Sequence, residues 1–466
     1  MHFECVSLVN CCLPPRDWRQ LAPPQGPLAI ATVLAKSGAE VRIINTAAKI
    51  APEDFGVDAL AALFFSLPSG IAALSVWDSV LPFVVEACRR VHGERSDLRF
   101  ILGGPAASTV GDKLMEFPWF SGVVHGEGEA RILPLLNFLA GRGDESGLPV
   151  GVLVRDGERV VTGTAPLSPL TGEEIPVLDY TLLDDTRYGR VEICTARGCP
   201  YDCLFCSANS AWGQGVRFRT LDRIESELDT IQQYFGDRNL IHILDDTFLV
   251  GRKHAGMVLD TLSRHPMETK FTCYARVEDL EPEKLARLRD AGCAGVYVGL
   301  DAPAMKKGKA MELNVAVDRV LQATEFVTVM ASFIWGFPEE SRRELEATLS
   351  HTERLLMESR RTAVNLFQLA PLSGTHYARP EILVGFAPED ASEFVYPGYL
   401  PQLEDSPCVV DLIHNHPEIF PAFYTVSTPD SHWKRQRVKS AITDWNARIW
   451  VAHSSGEYPF ARKRHE

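Results

Sequence analysis

Along roughly the first 140 residues, short apolar runs alternate with stretches whose apolar positions recur every three or four residues. Residues 3–9, 40–45, 71–77, 100–102 and 122–125 read as strands, and residues 26–36, 80–91 and 130–139 as helices. In the first helix Leu28, Ala31, Val33 and Leu34 are apolar, and Gly38 stands where a helix ends. The alternation predicts a parallel sheet with helices on both faces. Ligands of such sheets sit beyond the carboxyl ends of the strands. Here those ends carry residues 10–15, Trp77-Asp78, Gly103-Gly104-Pro105 through Ser108, and His125-Gly126-Glu127-Gly128-Glu129. A single glycine there makes a tight turn. Four such loops at one sheet edge predict a Rossmann-like binding domain over residues 1–145, where glycines let a ligand approach the backbone.

The pattern then changes. Residues 150–154 and 159–162 flank Asp156-Gly157, a hairpin signal. Pro166, Pro169, Pro176 and Asp185 follow, so 146–189 reads as a hairpin and linker. From residue 190 strands are expected at 191–196, 240–246, 270–276, 295–301, 329–335 and 363–369. Helices lie between them, at about 220–235, 253–264, 281–290, 313–326 and 341–360. Six strands in this alternation predict a partial (β/α)6 barrel over 190–378, with its site at the carboxyl ends of the strands. Residues 379–466 are loop-rich, with Pro, His and aromatics, and form an extension without an assignable fold, placed on the substrate side.

Composition narrows the class. Of 466 residues, 45% are hydrophobic and 23% charged, as in ordinary globular chains. The formal charge of −14 argues against broad phosphate-backbone binding, and no nucleic-acid module is visible. No apolar run approaches the roughly 18 residues of a membrane span. The longest, 59–67, is flanked by Asp58 and Pro68. The opening Met1-His2-Phe3-Glu4 lacks a secretory pattern, so a cytoplasmic location is the expectation.

Four of the eleven cysteines fall together at Cys194, Cys199, Cys203 and Cys206. The core, Cys199-Pro-Tyr-Asp-Cys203-Leu-Phe-Cys206, is C-x3-C-x2-C at the end of the first barrel strand. Three thiolates at this spacing can hold three irons of a four-iron cluster and leave one iron open. Zinc is the minor alternative, because its sites usually repeat a C-x2-C pair and no second pair is present.

This loop resembles the signature of the radical S-adenosylmethionine (SAM) superfamily, with Phe205 in the aromatic place before the last cysteine. The resemblance implies a [4Fe–4S] cluster on Cys199, Cys203 and Cys206. It also implies SAM on the open iron and reductive cleavage to a 5′-deoxyadenosyl radical. Weaker marks carry over one at a time. Asp245, in Leu244-Asp245-Asp246-Thr247-Phe248, stands where relatives contact the SAM amino group. Arg276 stands where they offer a cation to its carboxylate, and Asp301 at the ribose position, departing from their Glu-Ser. Gly336, in Ile334-Trp335-Gly336-Phe337-Pro338, matches the adenine-contacting segment. Leu372-Ser373-Gly374-Thr375 resembles a turn after the sixth strand.

The N-terminal segments 23–27, 38–41, 103–105 and 126–129 resemble the cobalamin-binding domain of cobalamin-dependent radical SAM enzymes. This implies cobalamin contacts from Trp77, Gly103, Gly104, Pro105, Ser108, His125, Gly126, Glu127 and Gly128. No Asp-x-His-x-x-Gly motif is present to supply a lower-face histidine. That face is then open, water-bound or covered by Trp77, Cys11 or Cys12. His125 is a ligand by type, although a lone histidine at a strand end is more often structural.

The implied function is C-methylation of an unactivated carbon in a small natural-product intermediate, through the deoxyadenosyl radical and methylcobalamin. The alternatives are another radical outcome (ring contraction, cyclisation or sulfur insertion) and a non-catalytic cluster or cobalamin sensor. A flavodoxin or ferredoxin is the implied electron donor. Cys273 and Cys293 read as buried, Cys5, Cys88 and Cys408 as plain core or surface, and Cys194 as a packing residue. Lys434, Arg435, Arg437, Lys439 and the tail Arg462-Lys463-Arg464-His465 read as solvated, with an acidic substrate as the other reading.

Overall fold

The computed structural model describes residues 5–15, 17–184, 187–236, 240–267, 269–300, 311–386, 403 and 405–453. The N-terminal sheet comprises β1 (Cys5–Cys11), β2 (Val41–Asn45), β3 (Gly70–Val76), β4 (Leu98–Gly103), β5 (Phe120–Val124), β6 (Val152–Asp156) and β7 (Arg159–Thr162). Their spatial order is β2-β1-β3-β4-β5-β6-β7. The first five run parallel. The chain goes out from β1 to β2 and returns to β3 on the other side, so a crevice opens where the order reverses.

The hairpin expected in the connection is instead the far edge of this sheet. β6 pairs antiparallel with β5, and β7 with β6. Val152, Leu153 and Val154 are all buried, which is why the segment stays on the sheet. The helix Leu81–His92 starts with Pro82 in its first turn and buries nearly all of its apolar residues. Helices Gln25–Lys36, Val57–Phe65, Ala107–Leu114 and Ile132–Leu139 complete the layers.

After the connection come β8 (Val191–Ile193), a short antiparallel ribbon of β9 (Ala196–Arg197) and β10 (Arg217–Phe218), then β11 (Leu240–Ile243). β12 (Lys270–Arg276), β13 (Cys293–Gly299), β14 (Thr328–Trp335) and β15 (Thr362–Gln368) follow. β8 and β11–β15 form one parallel sheet in sequential order. Among the described residues β8 and β15 do not pair, so the barrel is partial. Helices Leu221–Phe235, Arg252–Arg264, Pro282–Asp290, Leu313–Ala323 and Arg342–Glu358 cover its outer face. The last begins with a capping box, Ser341 bonding the Glu344 backbone and Glu344 bonding back.

The C-terminal extension is not a separate body. Residues 383–385 and 425–426 form a small antiparallel pair, β16 and β17. Val409, Ile413, Ile419, Phe420 and Phe423 are buried in the core of the N-terminal unit, beside the helix Leu81–His92. The helix Ser431–His453 lays Val438, Ala441 and Trp445 on Trp335, Leu345 and Leu349 of the barrel. Among the described residues no helix is long and apolar enough to cross a membrane.

Candidate active site between the two sheets

A cavity of about 680 Å³ lies where the carboxyl ends of the first sheet meet the edge of the barrel. That is the size of a small-molecule site. From the first sheet, Trp77, Gly103, Gly104, Pro105, Ser108, Gly126, Glu127 and Gly128 all line it, as the strand-end argument expects. From the barrel side it is lined by Cys194, Ala196, Arg197, Leu244 and Asp246. Trp77 is 50% exposed there, a large aromatic offered to a ligand. Gly104 has φ +89°, and a Cβ on it would stand 2.8 Å from Ser75 Oγ and 2.9 Å from the Val76 nitrogen. Only glycine fits that approach. The Ser108 hydroxyl donates to Gly104 C=O (2.9 Å) and accepts from Gly126 N–H (2.9 Å), joining two of the expected loops. Nothing stands within 4 Å of a Cβ on Gly103, so its face is open.

Glu127 lines the cavity, and its side chain is also engaged in ion pairs. Its carboxylate is held by Arg197 Nη1 (2.8 Å) and Arg217 Nη1 (2.6 Å), while Arg197 Nη2 also reaches Glu129 (2.7 Å). These side chains are largely buried, so the network is a desolvated clamp between the N-terminal unit and β9–β10. Next to Trp77, Ser373 N–H (3.3 Å) and the Ser373 hydroxyl donate to Asp78. Burial raises the Asp78 carboxyl, and the Ser373 bonds partly offset it. A Cβ on Gly374 would meet Ser210 Oγ at 2.7 Å and Thr109 Cγ2 at 2.8 Å. The turn after β15 thus docks on the N-terminal unit.

His125 does not line the cavity. Its Nε2 lies 3.3 Å from Asp112 Oδ1, and a Cβ on Gly111 would stand 2.8 Å from the same atom. The ring is packed against the helix Ala107–Leu114, which fits the structural reading.

The cysteine loop leaves β9 through Gly198 (φ +89°). A Cβ there would meet Gly215 C=O at 2.3 Å. Gly215 N–H donates to Cys199 C=O (3.3 Å), and Cys206 N–H to Cys203 C=O (3.1 Å). Phe205 packs its ring edge on Phe337, centroids 6.3 Å apart. None of the cysteines is in a disulfide, and Cys206 is exposed. Among the described residues no three His, Cys, Asp or Glu side chains converge as a single bound ion needs. A four-iron cluster takes one thiolate per iron, and the three thiols of the loop, outside any disulfide, supply that donor set. Burial pushes Cys194 up to about 12, and its neutral thiol donates to Ala196 C=O (2.9 Å).

Asp245 is turned away from the cavity. It is fully buried and accepts from Thr195 N–H (2.6 Å), Ala196 N–H (3.0 Å) and the Thr195 hydroxyl. Burial raises it to about 6 against those bonds. Its bonds anchor the start of the cysteine loop, and β11 ends at Ile243, before it. The neighbouring Asp246 is the acid that faces the cavity, raised by burial while the Gly198 backbone holds it down. Arg276 ends β12 with its guanidinium 3.7 Å from the centre of the Tyr201 ring, inside the cysteine loop, and 3.0 Å from Glu278. Its cation therefore stands beside the cysteine loop.

Gly336 adopts φ +87° and donates its N–H to Glu340 Oε2 (2.9 Å). Lys434, expected on a solvated face, is wholly buried. It pairs with Glu340 (3.2 Å) and donates to the Thr428 hydroxyl (2.8 Å) and Glu340 C=O. The C-terminal helix thus pins the Gly336 turn. Asp301 and the basic tail lie outside the described residues.

Residues 193–351 match the family described as the radical SAM superfamily. An uncharacterized methyltransferase of Pyrococcus horikoshii is 26% identical over 346 residues, covering 72% of this chain and 73% of that protein. The hopanoid C-2 methylase of Rhodopseudomonas palustris is 28% identical over 48% of this chain and 40% of its own. The radical SAM methyltransferase TsrM of Kitasatospora setae, solved with cobalamin and a [4Fe-4S] cluster, superposes with a TM-score of 0.69 at 19% identity. It covers 100% of this chain and 93% of that one. The cobalamin-dependent radical SAM enzyme OxsB aligns with a TM-score of 0.61 at 16% identity, over 97% of this chain and 67% of its own. The two-unit fold is shared with both.

Proposed function

We propose that this chain, which carries a radical SAM domain at residues 193–351, is a cobalamin-dependent methyltransferase acting on an unactivated carbon of a small natural-product intermediate. The observation that carries the reading is the cavity, which opens on both sheets at once: glycine-rich strand ends on one side, the root of the cysteine loop on the other. Methylase-named relatives and the folds of TsrM and OxsB support it. When bound, the cluster and SAM supply a hydrogen-abstracting radical, and cobalamin carries the methyl group.

The chain's own residues hold and orient these groups. Cys199, Cys203 and Cys206 take the cluster. Arg276 meets the SAM carboxylate and Asp246 its ammonium, as opposite charges in a half-buried site. The left-handed Gly336 turn receives the adenine. Trp77, the Gly103 to Ser108 loop and the Gly126 to Gly128 backbone form the cobalamin wall. The proposed units are the N-terminal domain with its edge hairpin, the barrel at 190–378, and an extension that spans both. A flavodoxin or ferredoxin is the proposed electron donor.

Anaerobic reconstitution with iron, sulfide and hydroxocobalamin tests this. About four irons and one tightly held cobalamin per chain are expected. Methyl-labelled SAM should then pass its label to the product. Full iron without cobalamin removes methyl transfer through cobalt. One relative is an anaerobic magnesium-protoporphyrin IX monomethyl ester cyclase, 28% identical over 54% of this chain. An unlabelled, dehydrogenated product would favour that outcome.

A further inference from the structure

Strand alternation gives the barrel two faces. Toward the helices stand Ile241, Phe271, Cys273, Val296 and Val298, all buried. Toward the lumen, in register across the strands, stand Glu192, His242 and Thr272. Tyr274 and Tyr297 pair one layer further on, followed by Met330. Thr272, Tyr274, Tyr297 and Met330 are only half-buried, so these side chains do not fill the lumen themselves.

His242 is different. It is 9% exposed, and its Nδ1 lies 2.6 Å from Thr272 Oγ1. Its Nε2 is buried and has no hydrogen-bond partner among the described residues. An unpaired buried ring nitrogen is uncommon in native proteins and costs free energy unless something meets it. Burial, helped by the Arg190 cation, pushes the imidazole down to about 4. The ring is therefore neutral near pH 7, with one nitrogen a donor and the other an acceptor. Tyr274 packs edge-on to His242 (centroids 5.0 Å, 78°) and to Tyr297 (5.2 Å, 62°). These rings offer aromatic walls to a flat ligand, with one polar atom waiting at its edge.

We propose that the lumen takes a methyl acceptor that carries an aromatic heterocycle, and that His242 is a specificity-determining residue whose Nε2 reads the ring heteroatom. This rests on the methyltransferase reading of the barrel. Whether Nδ1 donates to the Thr272 hydroxyl or accepts from it sets the tautomer, and so whether the preferred heteroatom is a donor or an acceptor.

The test uses the full-length holoprotein with its iron and cobalt contents measured on the same sample. Naphthalene, quinoline and indole present similar flat areas with no heteroatom, a ring acceptor and a ring donor. Equilibrium dialysis should show one heterocycle bound about tenfold tighter than naphthalene, the scale of one satisfied buried hydrogen bond. His242→Phe keeps a ring and should bring the three ligands within about twofold. Tyr297→Leu should weaken all three and keep their order. Equal binding of the three rings to the native protein (the result if water alone occupies Nε2), no binding of any, or a preference that survives His242→Phe each overturns the proposal. Full cofactor content alongside such a result leaves the methyltransferase reading standing. Missing cobalamin would instead strike that reading.

Discussion

Gly198→Ala is the sharpest test of how the cysteine loop is held. The residue sits at φ +89°, where an L side chain costs about 1–2 kcal/mol. Its new Cβ would come within 2.3 Å of Gly215 C=O, far inside normal contact, so the ribbon must open. Opening it sacrifices the 3.3 Å bond from Gly215 N–H to Cys199 C=O, about 1 kcal/mol. Together these raise the closed loop by about 2–3 kcal/mol, a factor of roughly 30 to 150 in its population relative to open forms. If irons leave through the open loop, cluster loss to a chelator accelerates by that factor. The assay is the decay of the cluster's visible absorbance under anaerobic chelation, with cobalamin content as the control for folding. Decay within about twofold of the native rate would refute the claim that this glycine sets the loop geometry.

Four further outcomes follow from the same contacts. Arg197→Met leaves Glu127 and Glu129 short of a buried cation, a loss of about 3–5 kcal/mol, and should speed proteolysis between residues 166 and 184 and release cobalamin on desalting. Unchanged cleavage and retention would show that the clamp does not join the units. Asp246→Asn should weaken SAM binding about tenfold by calorimetry without lowering the melting temperature, whereas Asp245→Asn should lower it. The reverse pattern would reassign the two acids. Lys434→Met strands the buried Glu340 carboxylate and should lower the melting temperature by several degrees, and an unchanged value would count against the pin. His242 has a folded value of about 4 against an ordinary 6.5. Its contribution is therefore complete above pH 6.5 and lost as pH falls through about 4, about 3 kcal/mol in all. Urea titrations at pH 7 and pH 4 should show His242→Phe losing less stability than the native chain, and equal losses would contradict the assignment.

Both parallel sheets and the cysteine loop were legible because strand period, glycine at strand ends and cysteine spacing are local signals. What the sequence reading missed was decided by contacts between distant segments. Asp245 and Asp246 are adjacent acids, and the Thr195 and Ala196 amides capture the first. A signal was present: strand parity puts Asp246 on the face of His242, while Asp245 continues the helix-facing row of Ile241 and Ile243. Lys434 also had one, since Lys434, Val438, Ala441 and Trp445 follow helical spacing along one buried stripe. Glu127 offered none, because its partners Arg197 and Arg217 lie 70 and 90 residues away. The hairpin looked like a linker because its turn is local, and its sheet partner β5 is not.

Two sets of ties join the units: the Glu127–Arg197–Glu129 clamp in the cavity wall, and Asp78 with Ser373 next to Trp77. The extension is fastened to both units as well. A corrin is broad and flat, so on the proposed function its uptake by an already folded chain waits on one of these ties letting go. Loading is then slow rather than barred, and weakening either tie speeds both the entry and the loss of the cofactor.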